Sequence, residues 1–224
     1  GKREAVRKKM NTQDSEKIHC YWCESKAKNP PVIISFHGNA ENANMGIDIA
    51  AKLNQKDISV ILAEYRGYGK SNGRPTELAT YLDAEEYYNF ALSKTKPENI
   101  VLHGRSLGSA VACELATKVD IAGIILESAL TTAEEVFHKP ESIMGVQYRS
   151  IEKIHKIKAP ILFIHGEQDK IVPFWMGEKL YNETKSEREF FAVEAAGHND
   201  LYYITGETYI KKIAGFVKRV TGKI

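Results

Sequence analysis

Ser106 stands between Gly104 and Gly108 in the run I-V-L-H-G-R-S-L-G-S-A (100–110). Residues 100–102 are apolar and read as a short buried strand, and the run from Leu107 onward has helical spacing. A serine on such a strand-to-helix turn is lifted above the sheet edge, because the turn is too tight for side chains at its flanks. The first amides of the following helix then point at its hydroxyl, where negative charge is favoured. A serine hydroxyl is a poor nucleophile at neutral pH and needs a base. An imidazole, with a pKa of about 6.5, can take the proton, and a carboxylate on its other nitrogen fixes the tautomer and stabilises the imidazolium. Both groups follow later apolar runs: Asp169 in H-G-E-Q-D-K-I-V-P (165–173) and His198 in A-G-H-N-D-L (196–201). Together the three types point to acyl transfer through a serine.

Each has a plainer reading. G-x-S-x-G is a short pattern of common residues, Asp169 suits the cap of a helix near Pro173, and His198 suits an exposed turn. Their order, each on a loop after its own strand, makes the joint reading the stronger one. Glu127 also ends a strand and is a rival acid, and Asp200, two residues past the histidine, is a third candidate. Asp169 is preferred because its loop follows the penultimate strand and H-G-x-x-D ends that strand sharply. A developing oxyanion needs two amides. One comes from Leu107 and the other from the loop after residues 32–36, at Asn39 or Ala40. His37, His103 and His165 close their own strands and read as structural, and Arg105 has no role that the sequence assigns.

The elements that must position these groups alternate. Residues 4–11 and 16–23 read as an antiparallel hairpin, and residues 32–36, 59–64, 99–103, 121–126, 160–165 and 188–193 as strands. Helical periodicity covers 43–56, 77–93 (apolar face Leu78, Leu82, Tyr88 and Leu92), 107–118, 174–184 and 206–220. Strands alternating with helices predict an α/β fold: a mostly parallel central sheet with an antiparallel N-terminal hairpin and helices on both faces. Residues 131–158 have a mixed pattern and read as a small helical cap insertion in a single domain spanning 1–224. In such sheets ligands bind beyond the strand C-termini, where the candidate residues fall.

The chain has 224 residues, 31 basic and 29 acidic, for a formal net charge of +2. That balance offers no case for nucleic acid. The basic cluster Lys2, Arg3, Arg7, Lys8 and Lys9 reads as a solvated edge strand, or as the flank of a membrane anchor that precedes Gly1. No apolar run approaches the roughly 20 residues that span a bilayer, so the chain as it stands is expected in the cytoplasm. Cys20 and Cys23 form a C-x-x-C, but on an extended stretch residues three apart face opposite ways, and no second pair completes a zinc site. Cys113 falls on the helix after Ser106 and reads as core. The glycine-rich loop 65–75 lacks the Walker pattern and the G-x-G-x-x-G spacing.

Five stretches carry a resemblance: F-H-G-N-A-E-N (36–42), E-Y-R-G-Y-G-K-S-N-G-R-P-T-E (64–77), H-G-R-S-L-G-S-A-V-A (103–112), 165–173 and 196–201. With them the chain resembles the serine-type α/β hydrolases, in particular the Bem46-like group that includes the depalmitoylating α/β-hydrolase-domain enzymes. The resemblance implies the α/β-hydrolase fold, Ser106 as nucleophile, Asp169 as acid, His198 as base, and Asn39 and Leu107 as oxyanion amides. Glu64 departs from the aspartate common before Tyr-Arg-Gly in that group, without consequence expected for catalysis. Many members carry an N-terminal membrane segment. The expectation is a serine hydrolase that cleaves a small-molecule ester, thioester or other acyl substrate without metal or organic cofactor. A serine peptidase and a non-catalytic binding protein on the same scaffold are the alternatives. Phe137, Met144, Tyr148, Phe174, Trp175 and Tyr202 are candidates for an apolar substrate wall, with core packing as the competing reading.

Overall fold

The opening hairpin, Val6–Asn11 (β1) and Lys17–Cys23 (β2), pairs antiparallel, and β2 in turn lies antiparallel to Ser59–Glu64 (β4). The structure is a computed structural model that describes residues 5–139, 142 and 145–223. The remaining strands, Val32–Phe36 (β3), Ile100–Arg105 (β5), Gly123–Glu127 (β6), Ile161–Gly166 (β7) and Arg188–Val193 (β8), run parallel to β4 and to one another. The result is one eight-stranded sheet in the order β1-β2-β4-β3-β5-β6-β7-β8. The central strands are apolar on both sides, as a sheet covered on both faces requires.

Helices cover both faces. On one lie Glu77–Leu92 (α2), Leu107–Ala116 (α3) and Phe174–Glu183 (α5, after the short α4, Ala133–Phe137), which bury Tyr87, Val111 and Leu180 against Ile34, Leu102 and Phe163. On the other lie Ile47–Asn54 (α1) and Glu207–Val220 (α7, after the short α6, Leu201–Thr205), which bury Leu53, Ile210 and Ile213 against Ile33, Val101 and Leu162. Cys20 belongs to the first core and Cys23 to the second, so the C-x-x-C pair is split across the sheet, as the strand geometry requires. Among the described residues no helix is long and apolar enough to cross a membrane.

Two local readings change. The helix expected over 43–56 starts as a 3₁₀ turn, Ala43–Gly46, which the Asn42 side chain caps. The inward face of α2 is not the leucine row: Leu78 is 68% exposed and Leu92 40%. The buried row is Ala79, Thr80, Asp83, Ala84, Tyr87 and Ala91, joined by Tyr88. Polar ends on this row serve buried backbone and charge. The Tyr87 hydroxyl lies 2.7 Å from the His19 carbonyl oxygen and 2.6 Å from that of Glu64. Asp83 accepts from the Arg66 backbone amide (2.9 Å) and guanidinium (2.7 Å), and Asp14 holds the other side of that guanidinium. The glycine-rich loop is therefore pinned by an arginine between two aspartates.

After β6 the chain forms α4 and two 3₁₀ turns, Ser150–Glu152 and Ile154–Lys156. The segment docks on α2 through Glu77, whose carboxylate accepts from the amides of Gln147 (2.5 Å) and Tyr148 (3.0 Å).

Candidate active site

Ser106 leaves β5 with φ 52° and ψ −121°, a conformation that costs a non-glycine residue about 1–3 kcal/mol. Its surroundings hold it there. The Ser106 amide donates to the Glu127 carbonyl (2.9 Å), and its own carbonyl accepts from the Ser109 amide (2.9 Å) and hydroxyl (2.6 Å). The flanking glycines are a packing requirement: a methyl group on Gly108 would lie 2.2 Å from the Phe36 carbonyl oxygen, and one on Gly104 2.3 Å from that of Gly108.

His198 Nε2 stands 3.1 Å from Ser106 Oγ, and His198 Nδ1 stands 2.7 Å from Asp169 Oδ2. The Asp169 carboxylate only accepts, so the proton sits on Nδ1, and Nε2 is left to accept from the serine hydroxyl. The side chain of Asp169 has no exposed surface. Its other oxygen accepts from the amides of Ile171 and Val172, each at 2.9 Å. Burial works against the charge, but the contacts from His165 and His198 and the Val172 amide hold the carboxyl well below the usual carboxylate range. The loops that carry Asp169 and His198 are joined by the Gln168 amide donating to the Ala196 carbonyl at 2.9 Å. His165 supports the same loop, with Nε2 2.9 Å from the Val172 carbonyl.

The two rival acids are engaged elsewhere. The Glu127 carboxylate takes contacts from His103 (3.2 Å), Arg105 (3.1 Å) and the Tyr209 hydroxyl. Burial raises its pKa, yet these partners bring it down to about 2. Asp200 accepts from the Gly197 amide at 2.7 Å and closes its own turn.

The loop after β3 reaches the serine. A methyl group on Gly38 would sit 3.3 Å from the Ser106 Cβ. Here His37 bridges the Gly38 carbonyl (2.8 Å) and the buried Glu64 (3.1 Å), so the residue that departs from the family pattern still anchors this loop. The Tyr68 hydroxyl lies 3.0 Å from both the carbonyl and the side-chain oxygen of Asn39. Among the described residues nothing accepts a hydrogen bond from the amide of Asn39 or of Leu107, whereas the Gly38 amide is tied to Glu41 at 2.8 Å. Tyr68 and Glu41 lie in two of the stretches that carry the resemblance, 64–77 and 36–42.

The wall candidates scatter. Phe137 on α4 and Trp175 on α5 are each 45% exposed, and the two helices are linked by Lys179 and Glu135 at 3.5 Å. Phe174 packs edge-on against His165 and Phe190. Tyr148 is a packing residue instead of a wall: it is buried edge-on to Tyr81 with its hydroxyl 3.3 Å from Thr80. Tyr202 faces away, stacking edge-on to Tyr209. It lines a cavity of about 320 Å³ under α1 and α7 that Ser106, Asp169 and His198 do not line. The chain turns at Asn199 and Asp200 into α6, and that turn swings Tyr202 to the other face of the sheet. Met144 lies outside the described residues.

The family model described as serine aminopeptidase, S33, matches residues 27–151. An uncharacterized protein of Mycobacterium tuberculosis is 32% identical over 217 residues, 93% of this chain and 77% of the relative. The chain belongs to the α/β-hydrolase family. This α/β hydrolase is also 29% identical over 216 residues to human alpha/beta hydrolase domain-containing protein 17B, covering 93% of the chain and 73% of that protein. Its fold matches those of the α/β hydrolase GrgF from Penicillium (TM-score 0.83, 15% identity, 98% of this chain and 99% of that one) and the esterase Pf2001 from Pyrococcus furiosus (TM-score 0.81, 20% identity, 97% and 93%).

Proposed function

We propose that this α/β hydrolase cleaves a carboxylic ester or thioester through a covalent acyl-enzyme on Ser106. The continuous contact from Asp169 through His198 to Ser106 carries the reading. His198 Nε2 takes the hydroxyl proton as Ser106 Oγ bonds to the substrate carbonyl carbon. The tetrahedral oxyanion is received by the unengaged amides of Asn39 and Leu107. The bond from carbon to the leaving oxygen or sulfur then breaks, and His198 returns the proton to the leaving group. Water, deprotonated by the same imidazole, attacks the acyl carbon, and the acid leaves with Ser106 restored. Asp169 keeps the imidazole in the working tautomer and offsets its transient charge. In this reading the chain is one catalytic domain, and the described residues of 131–158 act as a short cap. The exposed Phe137 and Trp175, on helices linked by Glu135 and Lys179, supply apolar surface for an acyl group.

Fluorophosphonate labelling tests this. The wild type is expected to label at neutral pH and Ser106→Ala is not. A silent wild type, or labelling that survives the substitution, would refute the assignment.

The name of the matching family model favours a second reading, a serine aminopeptidase. Such an enzyme needs a free carboxylate for the substrate's amino terminus. Glu41, on the loop after β3, and Glu127, at the end of β6, are both engaged by Arg105. Turnover of matched esters, thioesters and aminoacyl amides separates the readings, and preference for the amides would favour the peptidase.

A further inference from the structure

Three loops must keep their spacing around Ser106: its own elbow, the loop after β3 and the loop after β8. In the sheet β3 and β8 are separated by β5, β6 and β7, so no strand pairing couples their loops. One side chain does. Arg105, immediately before the serine, sends Nη2 to the His198 carbonyl and to Asn199 Oδ1, each at 2.7 Å. Its Nε donates to Glu127 at 3.1 Å, across the register pair Arg105–Glu127. Its Nη1 pairs with Glu41, whose other carboxylate oxygen accepts from the Gly38 amide at 2.8 Å. The Arg105 side chain is only 16% exposed.

We infer that Arg105 is a positioning residue. One guanidinium ties the loop of His198 to the loop of Asn39 and sets both relative to Ser106. The inference rests on the proposed role of Ser106. The chemistry suits arginine, whose planar fork directs five donors at once, while a lysine ammonium is a compact point charge. The contacts are charge-assisted and largely shielded from water, which makes them strong enough to hold a loop. Arg105 touches no reacting atom, so its removal should lower kcat and leave KM almost unchanged. A misplacement of about 1 Å at a catalytic group can cost on the order of 100-fold in rate.

The test uses the full chain with Arg105→Gln, Arg105→Lys and the milder Asn199→Ala. Arg105→Gln is expected to label with fluorophosphonate about 10- to 100-fold more slowly, with ester kcat reduced and KM within about twofold of wild type. Millimolar guanidinium should restore part of that rate, which a merely destabilised fold would not allow. Asn199→Ala should lose about 3- to 10-fold, and its effect should largely vanish in the Arg105→Gln background. Hydrogen exchange supplies an arm independent of catalysis: Arg105→Gln should speed exchange in peptides covering both 37–42 and 196–200. Unchanged exchange in either loop would overturn the inference. So would wild-type labelling rates in Arg105→Gln, or a loss that neither guanidinium nor lysine relieves. A wild type that does not label would instead refute the role of Ser106, and the exchange arm would still decide the coupling.

Discussion

Asp169 Oδ2 and His198 Nδ1 meet at 2.7 Å, although Asp169 lies three residues beyond the end of β7 while Glu127 closes the neighbouring strand. The carboxylate nearer the serine in sequence is thus not the one that meets the imidazole. Asp169→Asn is expected to keep the fold and lower kcat by about 10³- to 10⁴-fold, because the amide can favour the wrong tautomer. Glu127→Gln should cost far less activity. Ester hydrolysis by the two purified variants settles the assignment, and the reverse order of effects would transfer the acid role to Glu127.

Glu127 also sets a pH dependence of stability. Its pKa is lowered from 4.5 to about 2 in the folded chain. A depressed folded value adds stability that is complete above the unfolded pKa and is lost as pH falls through the folded one. Thermal stability should therefore fall as the pH drops from about 4.5 to about 2, and Glu127→Gln should flatten that part of the curve. Equal slopes for the variant and the wild type would show that Glu127 is not responsible.

Tyr68 holds Asn39 from the glycine-rich loop. Tyr68→Phe removes the hydroxyl and keeps the ring, which packs against His37 and Tyr65. One neutral hydrogen bond contributes about 1 kcal/mol, so kcat should fall about 5-fold with little change in melting temperature. Unaltered kcat would remove Tyr68 from the support of the Asn39 amide.

Asp83 is fully buried against Arg66. Truncation to alanine leaves the guanidinium with Asp14 alone, and breaking a buried pair typically costs about 3–5 kcal/mol. Asp83→Ala should lower the melting temperature by about 10 °C, at roughly 2–4 °C per kcal/mol for a domain of this size. A shift below about 2 °C would mean that Asp14 compensates.

The three cysteines are free and buried. Burial pushes the thiols of Cys20 and Cys113 up to about 12 and that of Cys23 to about 11. Native protein at pH 8 should resist a disulfide-exchange reagent such as DTNB, and all three should react once guanidinium unfolds the chain. Fast reaction of Cys20 and Cys23 in the native state would reopen the C-x-x-C question.

Local features are legible in the residues themselves. Apolar runs between turn residues mark strands, because a strand covered on both faces must be apolar throughout. The glycines around Ser106 mark the elbow, because backbone there passes too close for any Cβ. The order of Ser106, Asp169 and His198, each after its own strand, then places them at one edge of a parallel sheet. Which side chains meet across that edge depends on the three-dimensional packing. The neighbours of a strand-end residue depend on the order β4-β3-β5-β6, and that order is absent from any window of sequence. Glu127 is consumed by Arg105, His103 and Tyr209 for this reason, and Tyr202 turns away from the serine. The same holds for α2: its leucine spacing predicts an inward face, but the groups it covers are polar backbone and the Arg66 charge, so tyrosines, alanines and Asp83 go inside. Arg105, with no role in sequence, acquires one because folding brings the loops after β3 and β8 to the same guanidinium.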